Sequence, residues 1–153
     1  MHVAVLALLI GIIAGLRALT PVAAVSWAAR LGLLHLGDTP LAFLGYVATP
    51  WIFSVLALLE LFNDKLPKTP SRKTPSQFIV RILLGGFSGA AIGLGLGSWW
   101  VGLIAGAIGA ILGTFGGAAF RGAIAKAFGK DLPAALIEDA IAIVGVYLIV
   151  THI

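Results

Sequence analysis

The sequence predicts an all-α, polytopic membrane helical bundle of about five spans, with a broken or re-entrant helix after the first. Three observations predict it. The 153 residues are 60% hydrophobic and 10% charged, with a mean hydropathy of +1.10, well outside the range of soluble domains. The apolar residues gather in long runs, and a span needs about 20 of them in a helix. Most charges collect between those runs or at their ends.

Five runs approach span length: roughly 3–19, 40–62, 78–97, 99–120 and 132–150. The first, MHVAVLALLIGIIAG, has no Lys or Arg ahead of it and continues into further apolar sequence, so it reads as a retained span and not as a signal peptide. Residues 21–36 are apolar but interrupted by Arg30 and closed by His35. A hinge at Thr20-Pro21 would make them the second half of a broken helix, because proline removes a helix hydrogen bond; an interfacial helix is the alternative. The remaining four runs follow as simple spans of one transmembrane domain covering 1–153.

Short-loop Lys and Arg set orientation. Lys65, Lys68, Arg72 and Lys73 lie between the second and third spans, and Arg121, Lys126 and Lys130 follow the fourth. Both segments are expected in the cytoplasm, with uncharged Gly97-Ser98-Trp99-Trp100 on the far side. Five crossings then place the N-terminus inside. The net charge of +4 therefore reads as membrane orientation, and no aromatic-interleaved basic patch points to nucleic acid.

Two internal echoes occur. KTPSR is followed by KTPSQ over 68–77, and Ala14-Gly15-Leu16-Arg17 resembles Ala118-Ala119-Phe120-Arg121. On the loop-charge topology the second pair belongs to units running in opposite directions, as in an inverted repeat with halves 1–66 and 100–153 joined by the basic loop and third span.

The glycines are spaced for packing. Gly85, Gly89, Gly93 and Gly97 recur every four residues, as do Gly109, Gly113 and Gly117, with Gly102 and Gly106 in the same run. Such spacing makes a groove in which helix backbones approach closely, within one chain or between subunits. A thin bundle with spare glycine faces is expected to be a homo-oligomer. No Gly-Lys-Ser/Thr follows these glycines, so none forms a nucleotide loop.

The acids select the candidate site. Four of the six acidic residues, Glu60, Asp64, Glu138 and Asp139, fall inside or at the end of apolar runs, and a carboxylate in hydrocarbon is costly unless it faces protein, water or a basic partner. Glu138 and Asp139 share a helix side with Ala134, Ala135, Ala142 and Gly145, opposite Leu136, Ile137, Ile141, Val144 and Leu148. Glu60 and Asp64, four apart, continue back along one face to Thr49 and Tyr46, with Pro50 expected to free the carbonyl of Tyr46. Arg81 and Arg121 fall at the same predicted depth, giving one cluster of Glu60, Asp64, Arg81, Arg121, Glu138 and Asp139. Arg17 is expected on the opposite side, as symmetry mate of Arg121 or as an interface anchor. The plainer readings are a structural ion pair for Glu138 and Asp139, a polar rim for Glu60 and Asp64, and arginines snorkelling to lipid phosphate.

No cysteine is present, which excludes disulfides, thiolate catalysis and Cys-ligated metals. His2, His35 and His152 show no paired ligand spacing. Paired carboxylates could hold Mg²⁺ or another hard cation; no other cofactor is expected, and no Ser-His-Asp or Cys-His set is available.

The stretches GLRALTPVAA (15–24), ELFNDKLPKTPS (60–71) and FRGAIAKAFGKDLPAALIEDAIAIVG (120–145) resemble a family of small bacterial membrane proteins catalogued as domain of unknown function 4126. The resemblance covers nearly the whole chain and implies a small helical inner-membrane protein. It carries no catalytic or binding residues.

The leading functional reading is a transporter- or channel-like protein for a small ion or solute, and not an enzyme. A metal-dependent enzyme or binding protein for phosphorylated lipid headgroups is the alternative, with a structural assembly factor as the third.

Overall fold

A computed structural model describes residues 2–37, 39–63, 75–129 and 131–152, and no strand occurs among them. The helices are α1 (His2–Leu16), α2 (Thr20–Arg30), α3 (Thr49–Asn63), α4 (Pro75–Leu96), α5 (Trp99–Phe128) and α6 (Asp131–Thr151), with a short 3₁₀ turn at Ala42–Gly45. Three segments, Gln77–Leu96, Trp99–Phe128 and Pro133–Thr151, are long and apolar enough to cross a membrane, while Val3–Leu16 and Thr49–Glu60 are apolar but shorter. The protein is thus a helical membrane protein. α2, with 11 residues, reaches only about 16 Å and cannot cross alone.

The break expected after the first run is present, three residues earlier than the Thr20-Pro21 hinge. The α1 ladder closes with the Arg17 amide donating to Ile13 O at 2.8 Å, and the next begins with Ala23 N to Leu19 O at 3.1 Å. Pro21 explains the position. Its ring excludes the carbonyl four residues earlier, that of Arg17, and it fits the first turn of α2, where its missing N–H costs no bond.

α5 is the central helix, packed against α1 and α4. A Cβ at Gly102 or Gly106 would fall on the carbonyls of Gly89 and Gly85 in α4, and one at Gly109 or Gly113 on the carbonyls of Leu8 and Ile12 in α1. Backbones touch there because no side chain intervenes, which concentrates dispersion contacts where the hydrophobic effect gives little. Such contacts also fix direction. Residue numbers rise together along α1 and α5 and run opposed along α4 and α5, so α1 is parallel to α5.

That geometry corrects the topology read from loop charges. The Arg17-ended and Arg121-ended helices run in the same direction, not in opposite ones. The start of α1 lies at the far end of the bundle from Arg81 and Arg121, where the N-terminus was expected to share their side. Lys65, Lys68, Arg72, Lys73 and Lys130, whose charges set the expectation, lie outside the described residues.

The second run is also shorter than its 40–62 reading. α3 starts at Thr49, which puts Pro50 in its first turn and leaves Tyr46 ahead of the helix in extended backbone with ψ 155°. No helical carbonyl of Tyr46 is therefore freed by Pro50. α5 overruns its expected end by two turns and stops at Gly129, whose φ of 73° caps the helix in a left-handed conformation.

Residues 31–37 and 39–48 fold back over the end of α2. Ser26 Oγ donates to Leu44 O at 2.6 Å, both buried, and Trp27 Nε1 donates to Ser54 Oγ at 2.8 Å. Trp27 meets Trp51 edge-on, with ring centroids 5.1 Å apart. Ser26→Ala would leave the buried Leu44 carbonyl without this donor, so thermal unfolding in detergent should show a loss of about 1–3 kcal/mol.

Candidate functional site

A helix that stops inside a bundle leaves its last carbonyls without partners. At the end of α1 these are taken one by one. Ile13 O accepts from the Arg17 amide; Arg81 Nη1 from α4 donates to Gly15 O at 3.2 Å and lies 3.5 Å from Ala14 O; Arg17 Nη1 turns back to Leu16 O at 2.9 Å. Cations suit this position, because the helix dipole is negative there. On the other side of the break, the Glu60 carboxylate from α3 accepts from the amides of Ala18 and Leu19, each at 2.9 Å.

Arg17 joins this break to α6. Its Nε donates to Asp139 Oδ1 at 2.8 Å and its Nη2 lies 2.5 Å from the same oxygen, while Nη1 pairs with Glu138 Oε1 and Nη2 sits 3.4 Å from Ala135 O. Arg121 Nη1, from α5, lies 3.6 Å from that same Glu138 oxygen. Arg17 and Glu138 are both 0% exposed. Only a planar fork with five donors can serve two carboxylates and two carbonyls at once, which is why arginine and not lysine stands here.

Three guanidinium groups (Arg17, Arg81, Arg121) and three carboxylates (Glu60, Glu138, Asp139) thus meet at one end of the bundle, and their formal charges cancel. Depth follows from helix rise. From this level to the far ends of α1, α4 and α6 is about 18–23 Å, against a hydrocarbon thickness of about 30 Å. The first turns of α4 and α6 and the last of α5 extend past the cluster by about 10 Å.

Five of the six expected primary residues are therefore brought together: Glu60, Arg81, Arg121, Glu138 and Asp139. Asp64 lies outside the described residues. The buried face expected for α6 is present, with Ala134, Ala135 and Ala142 buried and Leu136, Ile141, Val144 and Leu148 exposed. Tyr46 and Thr49 stand apart, at the other end of α3. Thr49 Oγ1 donates to Phe43 O at 2.7 Å, a cap on the 3₁₀ turn, and Tyr46 is exposed.

Arg17 is the correction that matters most. Expected across the membrane as an anchor or symmetry mate, it is instead the centre of the cluster, because α1 is parallel to α5. One signal was available in the sequence. An arginine four residues before a proline at the end of an apolar run marks a helix end whose carbonyls need donors.

A family model described as "Domain of unknown function (DUF4126)" matches residues 4–152. The chain belongs to this family. Comparison with curated proteins and with solved structures finds no match.

In this DUF4126 chain the site's chemistry is ion pairing in a low-dielectric interior. No three His, Asp or Glu side chains among the described residues are grouped as metal ligands, and one oxygen of each carboxylate, Glu138 Oε1 and Asp139 Oδ1, is turned to Arg17. The arrangement offers an exchange of partners: Glu138 Oε1 has Arg17 against it and Arg121 within reach.

Proposed function

We propose that this protein moves a small ion or solute across the membrane and that the α1–α2 break, with its six charges, is the working site held closed. The observation that carries this reading is Arg17, a fully buried guanidinium that bridges a discontinuous helix to a carboxylate pair on α6. Discontinuous helices serve transporters because their ends present backbone groups to a ligand near the middle of the bilayer. Here those ends are met by side chains, and Arg121 stands ready to take Glu138 if Arg17 swings away. With the basic segments 64–77 and 121–130 in the cytoplasm by the positive-inside rule, the cluster opens toward the cytoplasm and both termini lie outside, in a bacterial inner membrane. The open space at Gly122 on α5 leaves room for a second copy, in keeping with a homo-oligomer joined near that end of the helix.

Purified protein in liposomes tests the proposal, with proton movement read by an entrapped pH dye and chloride release by electrode. Native protein should raise one of these fluxes above protein-free vesicles, and Glu138→Gln with Asp139→Asn should lower it at least tenfold in a folded protein. Equal flux in the native and substituted proteins would count against the reading.

The charge balance favours a second reading, a structural lock that fixes helix register without a ligand. On that reading neutral substitution changes stability alone, and no flux depends on the cluster.

A further inference from the structure

The end of the bundle away from the charge cluster has a chemistry of its own. All four Trp and both Tyr lie there: Trp27 near the end of α2, Tyr46 and Trp51 about the start of α3, Trp99 and Trp100 at the start of α5, and Tyr147 one turn before the end of α6. Amphipathic rings gather where headgroups meet acyl chains, so this girdle marks one membrane–water interface.

A cavity of about 340 Å³ opens at the same level, between the end of α2 and the segment folded back over it. Ala29, Leu36, Gly37, Ala42, Gly45 and Tyr46 line it. Its depth follows from Leu34, whose side chain covers Gly95 at the end of α4. The groove is open because side chains are missing. A Cβ at Gly37 would meet nothing within 4 Å, and one at Gly45 would come no nearer to Ala29 than an ordinary 3.4 Å contact.

The charge beside the groove is a second observation. Among the described residues Arg30 is the only Lys or Arg at this end of the bundle; it is exposed, and no carboxylate there pairs with it. It follows Ser26 by four residues and Trp27 by three, and so shares their face of α2. That face is turned to the groove's far wall, since Ser26 Oγ bonds the carbonyl of Leu44, between Ala42 and Gly45, and Trp27 bonds Ser54. At headgroup level the partner on offer to a guanidinium is a phosphate, which its planar fork takes in bidentate fashion. The described acids, Glu60, Asp131, Glu138 and Asp139, are all at the other end, so a choline or ethanolamine ammonium would find none of them as a counter-charge.

We propose that this groove binds one anionic phospholipid, with its phosphate on Arg30, the Tyr46 hydroxyl beside the glycerol region and the first part of an acyl chain laid over Gly37 and Gly45. The site is separate from the charge cluster and does not depend on the transport reading. Lipid held there would fasten the folded-back segment to α2.

Native mass spectrometry of the full chain released from detergent, with phosphatidylglycerol titrated in, tests the site. One phosphatidylglycerol per chain should bind saturably, and several-fold more tightly than phosphatidylcholine. Arg30→Gln should weaken it about tenfold, the worth of a charge-assisted bond. Gly37→Leu, which fills the groove where no atom stands in the way, should weaken it several-fold without lowering the melting temperature; Gly45→Leu takes its place if Gly37→Leu does not fold. Lys126→Gln removes an exposed cation at the opposite end and should leave the affinity unchanged. The proposal is overturned by an absence of saturable binding, by equal affinity for phosphatidylcholine, or by affinity that Arg30→Gln leaves intact or that Lys126→Gln abolishes. Affinity indifferent to filling the groove, or matched by glycerol phosphate without acyl chains, overturns it equally.

Discussion

Arg17→Met should cost about 3–5 kcal/mol of stability, a large part of an ordinary margin of about 5–15 kcal/mol. The reason is what the substitution leaves behind. Glu138 is 0% and Asp139 8% exposed, and both turn oxygens toward the guanidinium; without it, buried carboxylates face each other and the Leu16 carbonyl loses a donor. Arg17→Lys should recover only part of the loss, because a single ammonium cannot span Glu138, Asp139 and Leu16 O together. Adding Glu138→Gln and Asp139→Asn to Arg17→Met should restore most of the stability, since removing both carboxylates along with their guanidinium partner is far milder than removing the guanidinium alone. Thermal and denaturant unfolding in detergent would show this as strong non-additivity. Additive losses would mean that the three residues do not act as a unit.

Gly106→Leu should be the most damaging change in the apolar part of the bundle. A Cβ at Gly106 would fall on the Gly85 carbonyl, and the Gly106 carbonyl itself lies where a Cβ on Gly11 would point. One position therefore sets the spacing of α5 from both α1 and α4. Even Ala must push backbones apart, at about 1–3 kcal/mol by the usual cost of overpacking, and Leu should prevent assembly of the three helices. Gly116→Leu provides the control on the same helix, because nothing lies within 4 Å of its Cβ position. It should leave the melting temperature nearly unchanged.

The sequence made the helical membrane class legible because that class depends on summed hydropathy, which local errors barely affect. It also marked the buried side of α6, where Glu138 and Asp139 interrupt a run of small residues at helical spacing. The break after α1 was readable from Pro21. Direction was not. Orientation rested on counting basic loops under the assumption of five full crossings, and α2 turns the chain back without crossing alone, so every inference downstream of it placed α1 upside down. Arg17 was misplaced for that reason and no other. Glu60 was found but read as half of a helix-face pair with Asp64, whereas its partners are backbone amides in another helix, which no spacing within α3 encodes. Tyr46 and Thr49 were joined to it by a helical face that starts only at Thr49.

The central claim is that the charge cluster at the helix break does work beyond holding the fold. Flux through liposomes containing the triple variant Arg17→Met, Glu138→Gln, Asp139→Asn tests it most directly, because this variant removes the Arg17 ion pairs together with both of their carboxylates and leaves only Glu60, Arg81 and Arg121 charged at the break. The account predicts a protein about as stable as native whose proton and chloride fluxes fall to the level of empty vesicles. A folded triple variant that carries either ion as fast as the native protein would contradict it.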